Sequence, residues 1–138
     1  MSRNRRGGVA DASNYASPSN HDLVVLVEDD HGMRRALQRV LEASGFAAET
    51  FASAEALLAA DAASRALCIV LDIHLPGMSG LALRQHLVAI GKHVPIIFIT
   101  AQDSANLHRK TAAYATGYLV KPFPAEALVA AVNRALGK

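Results

Sequence analysis

Tryptophan is absent from the chain and cysteine occurs once. One cysteine excludes a disulfide framework and points to a reducing compartment. That residue, Cys68, stands inside an apolar run, where a thiol usually packs as a small hydrophobe. No apolar stretch approaches the roughly 18 residues needed to span a bilayer. The amino terminus lacks the apolar segment of a secretory signal. Aromatic residues make up 5% of the chain, and no aromatic platform for nucleic acid is visible. Charge is also sparse, at 19% of residues with a net value of +2. The surplus sits in residues 1–20, where Arg3, Arg5 and Arg6 face only Asp11. The rest of the chain is neutral, so direct nucleic-acid binding is not expected of it.

What is present is core material. Hydrophobic residues account for 51% of 138 residues, enough for one domain with a sizeable interior. Residues 1–20 are rich in Ser, Asn, Gly and Arg and read as a flexible basic tail. Residues 21–138 read as the folded domain.

Along that domain, short apolar runs alternate with amphipathic stretches. Leu23–Val27 reads as a buried strand running into Glu28, Asp29 and Asp30. Met33, Ala36, Leu37, Val40 and Leu41 then follow helical spacing, and Gly45 is placed to stop that helix. A short edge strand is expected from Phe46 to Phe51, and Ser53 is placed to cap a helix through Ala59. The third strand, Leu67–Leu71, ends at Asp72, and a Pro76-Gly77 turn follows. A helix is expected from about Gly80 to Ile90, carrying Leu83, Leu87 and Ile90 and ended by Gly91. Pro95–Ile99 reads as a fourth strand ending at Thr100, followed by a helix from Ser104 to Tyr114. Gly117–Val120 reads as a fifth strand ending at Lys121, and Leu128, Val132 and Leu136 mark a last helix. Five strands alternating with five helices imply an α/β fold: a parallel sheet with right-handed crossovers and helices on both faces.

In such sheets ligands bind at the carboxyl ends of the strands. There the chain places Glu28, Asp29, Asp72, Thr100 and Lys121. Three carboxylates brought together repel one another and call for a cation. An all-oxygen set suits Mg²⁺ or Mn²⁺ rather than zinc. A metal beside a hydroxyl and a lysine is a site for a phosphoryl group, with Asp72 the natural nucleophile.

These pieces resemble a response-regulator receiver domain, the CheY-like family of two-component signalling. The resemblance rests on Val27-Glu28-Asp29-Asp30, on Leu71-Asp72-Ile73-His74-Leu75-Pro76-Gly77-Met78-Ser79-Gly80, on Ile99-Thr100-Ala101 and on Lys121-Pro122-Phe123, in that order. It runs from about Asp22 to Leu136. It implies a doubly wound (βα)5 sheet with the flavodoxin-like strand order 2-1-3-4-5. It also implies that Asp72 accepts a phosphoryl group from a histidine kinase, a phosphotransfer protein or a small phosphodonor. Asp29, Asp72 and the backbone carbonyl of His74 would hold Mg²⁺, with Glu28 acting through metal-bound water. Lys121, Thr100 and the Ala101 amide would hold the phosphoryl group. Tyr118 would turn inward, and the face built from helix 4, strand 5 and helix 5 would change partners. The side chains of His74 and Gln102 would tune phosphate lifetime.

The expected protein is a bacterial, cytoplasmic phosphoprotein and no enzyme beyond self-phosphorylation and self-dephosphorylation. Its partners would be a kinase, a downstream protein and, on phosphorylation, a second copy of itself. A stand-alone receiver is the preferred form; the receiver portion of a DNA-binding transcription regulator is the alternative. An aspartate-nucleophile phosphatase is remote, because Asp72-Ile73-His74 lacks the Asp-x-Asp of that class. Other residues get plainer readings: Asp30 a turn or cap, Tyr114 core, Arg34 and Arg35 a solvated helix face. Where the family often has a small residue or glycine at the end of the fourth helix, this chain has Tyr114-Ala115-Thr116, and without glycine a left-handed ending is not expected.

Overall fold

A computed structural model describes residues 23–138. The expected tail at residues 1–20 lies outside them. The elements are β1 (Leu23–Val27), α1 (His31–Ala43), β2 (Ala47–Phe51), α2 (Ala54–Ala59), a 3₁₀ turn (Ala62–Ser64), β3 (Cys68–Asp72), α3 (Gly80–Ala89), β4 (Ile96–Thr100), α4 (Ala105–Ala112), β5 (Gly117–Val120) and α5 (Ala125–Ala135). All strand pairs are parallel, in the order β2-β1-β3-β4-β5. This is the flavodoxin-like order implied by the resemblance. Among the described residues no helix is long and apolar enough to cross a membrane.

Strand position explains composition. The inner strands β3 and β4 are buried at every residue, as continuous apolar runs demand. The edge strands β2 and β5 are half-buried throughout, which is why β2 tolerates Glu49 and Thr50. Alternate residues feed two cores. Val24, Leu26, Cys68, Val70, Ile97 and Ile99 pack against Leu37 and Leu41 of α1 and Leu128 and Val132 of α5. Val25, Val27, Ile69, Leu71 and Phe98 pack against Leu57 of α2 and Leu83 and Leu87 of α3. Burying one such side chain is worth roughly 1.5–3 kcal/mol, so the two layers supply most of the driving force.

The structure moves several expected boundaries, each for a local reason. Phe46 precedes β2 because it closes α1. Its N–H bonds to the Leu41 carbonyl at 3.1 Å while Gly45, at φ 94°, bonds to Glu42 at 3.1 Å. That is a Schellman ending, with Phe46 packed in the same core as Leu41. The same device ends α3 at Ala89, where Lys92 bonds to Leu87 at 2.8 Å and Gly91 to Val88 at 3.0 Å. Ile90 becomes the cap residue beyond the helix and stands 52% exposed. Leu67 stands outside β3 and Ala36 is exposed on α1. Helix α4 stops at Ala112 rather than Tyr114 and uses no left-handed residue. Its last turn tightens instead, with the Thr111 carbonyl accepting from Tyr114 at 3.1 Å and Ala115 at 2.7 Å. Tyr114 is half-buried, its ring edge-on to Phe98 at 6.1 Å and beneath the Arg84 guanidinium at 3.8 Å.

Candidate functional site: an acidic pocket bridged by a lysine

Strand alternation selects what meets at the carboxyl edge. Leu26, Val70 and Leu119 face the α1/α5 layer, so Glu28, Asp72 and Lys121, each two residues further on, leave the sheet on that side. The pairing continues past the strand ends: Glu28 N–H bonds to Phe51 at 3.1 Å and Lys121 N–H to Thr100 at 2.8 Å. Residues ninety-three positions apart in sequence thereby touch. The Lys121 ammonium donates to Glu28 Oε1 at 2.6 Å and to Asp72 Oδ2 at 3.0 Å. The Lys121–Pro122 peptide that follows is cis.

The acids differ in exposure. Glu28 is 1% exposed and Asp72 4%, whereas Asp29 faces solvent. Each can bring a carboxylate oxygen within 4.8 Å of the other two. Burial pushes the Glu28 carboxyl above its ordinary value of 4.5, opposed by hydrogen bonds from Lys121 and the Asp30 amide, and helped by the charge of Asp72. Burial alone would lower Lys121, but its hydrogen bonds to Glu28 and Asp72 outweigh it and hold the ammonium above its ordinary value. Asp72 Oδ1 is engaged as well, accepting from the His74 N–H at 3.0 Å. The His74 side chain is exposed.

Backbone ties fix the loops. Asp30 caps α1, its Oδ2 accepting from Met33 N–H at 2.7 Å, and its own N–H donates to Glu28 Oε2 at 3.1 Å. Arg34 is not a freely solvated residue: it is half-buried and donates to the carbonyls of Glu28 at 2.9 Å and Asp29 at 3.3 Å. Arg35 is exposed, as read from sequence. On the far side, Glu55 Oε2 accepts from Met78 N–H at 2.9 Å and pins the turn after Asp72 to α2. Gly80 starts α3 so close to β3 that a Cβ there would collide with the Asp72 carbonyl and come within 2.9 Å of Ile73 Cα.

Residues 24–133 match the response regulator receiver domain. The chain belongs to that family. It is 37% identical over 121 residues to the C4-dicarboxylate transport transcriptional regulatory protein DctD of Rhizobium meliloti, covering 87% of this chain and 25% of that one. It is 37% identical over 128 residues to nodulation protein W of Bradyrhizobium diazoefficiens, covering 92% and 54%. The crystal structure of a response regulator receiver protein from Burkholderia phymatum superposes with a TM-score of 0.73 at 36% identity, covering 88% of this chain and 96% of that one. The chain therefore spans between a quarter and about half the length of these two curated relatives. Receiver domains belong to two-component systems, act as signalling switches rather than as enzymes, and bind Mg²⁺ through an acidic pocket.

Two of the remaining expected positions, Thr100 and Tyr118, lie on the other face of the sheet. Thr100 is fully buried at the end of β4, on the side of Phe98. Its Oγ1 accepts from the Gln102 N–H at 3.0 Å. Ala101 and the Gln102 side chain are exposed. Tyr118 shares the Phe98 side, half-buried, and its hydroxyl donates to Asp103 Oδ1 at 2.9 Å. Sequence reading missed Asp103, Glu55 and the Arg34 tie. Each depends on a contact between separate elements, and no local pattern reports it.

Proposed function

We propose that this receiver domain is a phosphorylation-dependent switch with Asp72 as its phosphoacceptor. The observation that supports this most is the Lys121 ammonium shared between two buried carboxylates beside exposed Asp29. Three carboxylates against one lysine leave two negative charges, and every donor is oxygen, which fits Mg²⁺ and also Mn²⁺. Asp29, Asp72 and the His74 backbone carbonyl would hold the ion, with Glu28 reaching it through water. Bound there, it supplies positive charge for the phosphoryl oxygens.

In the reaction, an Asp72 oxygen attacks the phosphorus of a phosphohistidine on a histidine kinase or phosphotransfer protein. The P–N bond breaks, its electron pair leaves with the imidazole, and an acyl phosphate forms. Lys121 moves one hydrogen bond onto the phosphoryl oxygens. The Thr100 oxygen accepts from Gln102, which leaves its own proton to donate. The Ala101 amide is the second donor. Tyr118 then turns inward, and the face of α4, β5 and α5 changes its protein partner or pairs with a second copy. Own-chain chemistry is limited to self-phosphorylation from small phosphodonors and self-dephosphorylation, with the exposed His74 and Gln102 side chains setting the lifetime. The setting is the bacterial cytoplasm, and residues 21–138 form the receiver. Relatives named as transcriptional regulators favour a second form alongside the stand-alone one, in which this receiver controls an attached DNA-binding output.

The test is intact mass after acetyl phosphate. The protein should gain one phosphoryl mass with Mg²⁺, none with EDTA, and none in Asp72→Asn. Equal labelling of Asp72→Asn would overturn the assignment.

A further inference from the structure

Asp103 joins three elements. It lies in the loop between β4 and α4, next to Ser104, whose Oγ caps α4 by accepting from Leu107 N–H at 3.0 Å. Its Oδ1 accepts from the Tyr118 hydroxyl of β5 at 2.9 Å and meets His108 Nε2 of α4 at 3.1 Å. The His108 ring also lies on the Tyr118 ring, centroid to centroid 4.0 Å with a 38° tilt. The phenol is thus held at its hydroxyl by one residue and on its face by another. Burial, then the hydrogen bond to Asp103 and its charge, raise the Tyr118 phenol above its ordinary value.

The loop that carries Asp103 begins at Thr100. Gln102 N–H is bound to the Thr100 hydroxyl at 3.0 Å, which ties the residue before Asp103 to Thr100. Drawing that loop toward Asp72 carries Asp103 with it and breaks its bond to Tyr118. Contacts present only in the resting arrangement lower the fraction of molecules competent to hold a phosphoryl group, and apparent affinity falls by that fraction.

We infer that Asp103 and His108 form a clamp that holds Tyr118 in its outward position and sets the resting bias of the switch. Both are positioning residues, since neither reaches the acidic pocket. The inference rests on the switch reading of Asp72 and Tyr118. It adds that this chain's resting state is held by a carboxylate–phenol–imidazole cluster on the α4/β5 surface.

Beryllofluoride, a tetrahedral phosphoryl mimic, provides the test. Its apparent affinity is measured in Mg²⁺ by amide NMR, which also reports folding. Asp103→Ala and His108→Ala should each tighten it by about three- to tenfold, as expected for exposed polar contacts of modest strength. Asp103→Asn, which keeps a carbonyl acceptor, should fall between parent and Asp103→Ala. Arg109→Ala should match the parent. In a Tyr118→Phe background, where the phenol proton is gone, Asp103→Ala should lose most of its effect. A folded Asp103→Ala protein with unchanged or weaker affinity overturns the clamp. A merely structural role would destabilise the protein without tightening the mimic. If the parent itself fails to bind beryllofluoride, the reading of Asp72 fails and the clamp falls with it.

Discussion

Glu28 is the residue with the clearest conflict between stability and use. It is 1% exposed, next to a second acid, and its carboxyl is raised chiefly by burial. A group whose folded value is raised loses its contribution as pH climbs from the unfolded value through the folded one. In Mg²⁺-free protein, Glu28→Gln should therefore gain melting temperature relative to the parent as pH climbs from the ordinary value of 4.5 toward 7. The gain should vanish below the ordinary value of 4.5 and be accompanied by weaker Mg²⁺ binding. A melting temperature unchanged between parent and variant across that range would contradict the burial argument. Cys68 makes a second case. It is fully buried and its thiol is pushed up to about 12, so at pH 8 it should not react with a thiol reagent in the native state. One equivalent should react after denaturation, and fast native reaction would show that β3 opens. As pH rises from 9 toward 12 the folded state should lose stability, because only the unfolded thiol ionises readily there.

At the scale of elements, the approach of α3 to β3 is the tightest fit around the site. Gly80→Ala places a methyl group against the Asp72 carbonyl and Ile73 Cα. A cost of about 1–3 kcal/mol in urea unfolding is expected, with slower phosphorylation because the turn bearing His74 shifts. A variant as stable as the parent would show that α3 can slide. This packing also shows what sequence could reveal. Glu28, Asp29, Asp72, Thr100 and Lys121 were legible because each ends an apolar run, and parallel topology does the gathering. The α1 cap at Asp30 and the stop at Gly45 were legible because their partners lie within five residues. Phe46 and Ile90 were misplaced because a helix-closing turn leaves each just outside the element expected to hold it. Glu55 with Met78 and Asp103 with Tyr118 were not legible at all. These partners are 23 and 15 residues apart, and nothing in either segment names the other.

Over the whole molecule, two apolar layers hold a sheet whose carboxyl edge carries uncompensated negative charge. Such an edge is a standing cost that a bound cation removes. Mg²⁺ should raise the melting temperature, and at a hundredfold excess over its dissociation constant the gain is about 2.7 kcal/mol. Asp29→Asn removes an exposed acid without disturbing the Lys121 bonds. It should fold normally and lose most of that gain. Stabilisation by Mg²⁺ that survives intact in Asp29→Asn would place the ion elsewhere.

The proposed switch depends on an acyl phosphate on one carboxylate. After incubation with acetyl phosphate and Mg²⁺, borohydride reduces an acyl phosphate and converts its aspartate to homoserine. Peptide mapping should then find homoserine at position 72 alone, in the peptide containing Cys68 and His74. Homoserine at position 29 or 30, or none at any position despite an added phosphoryl mass, would contradict it.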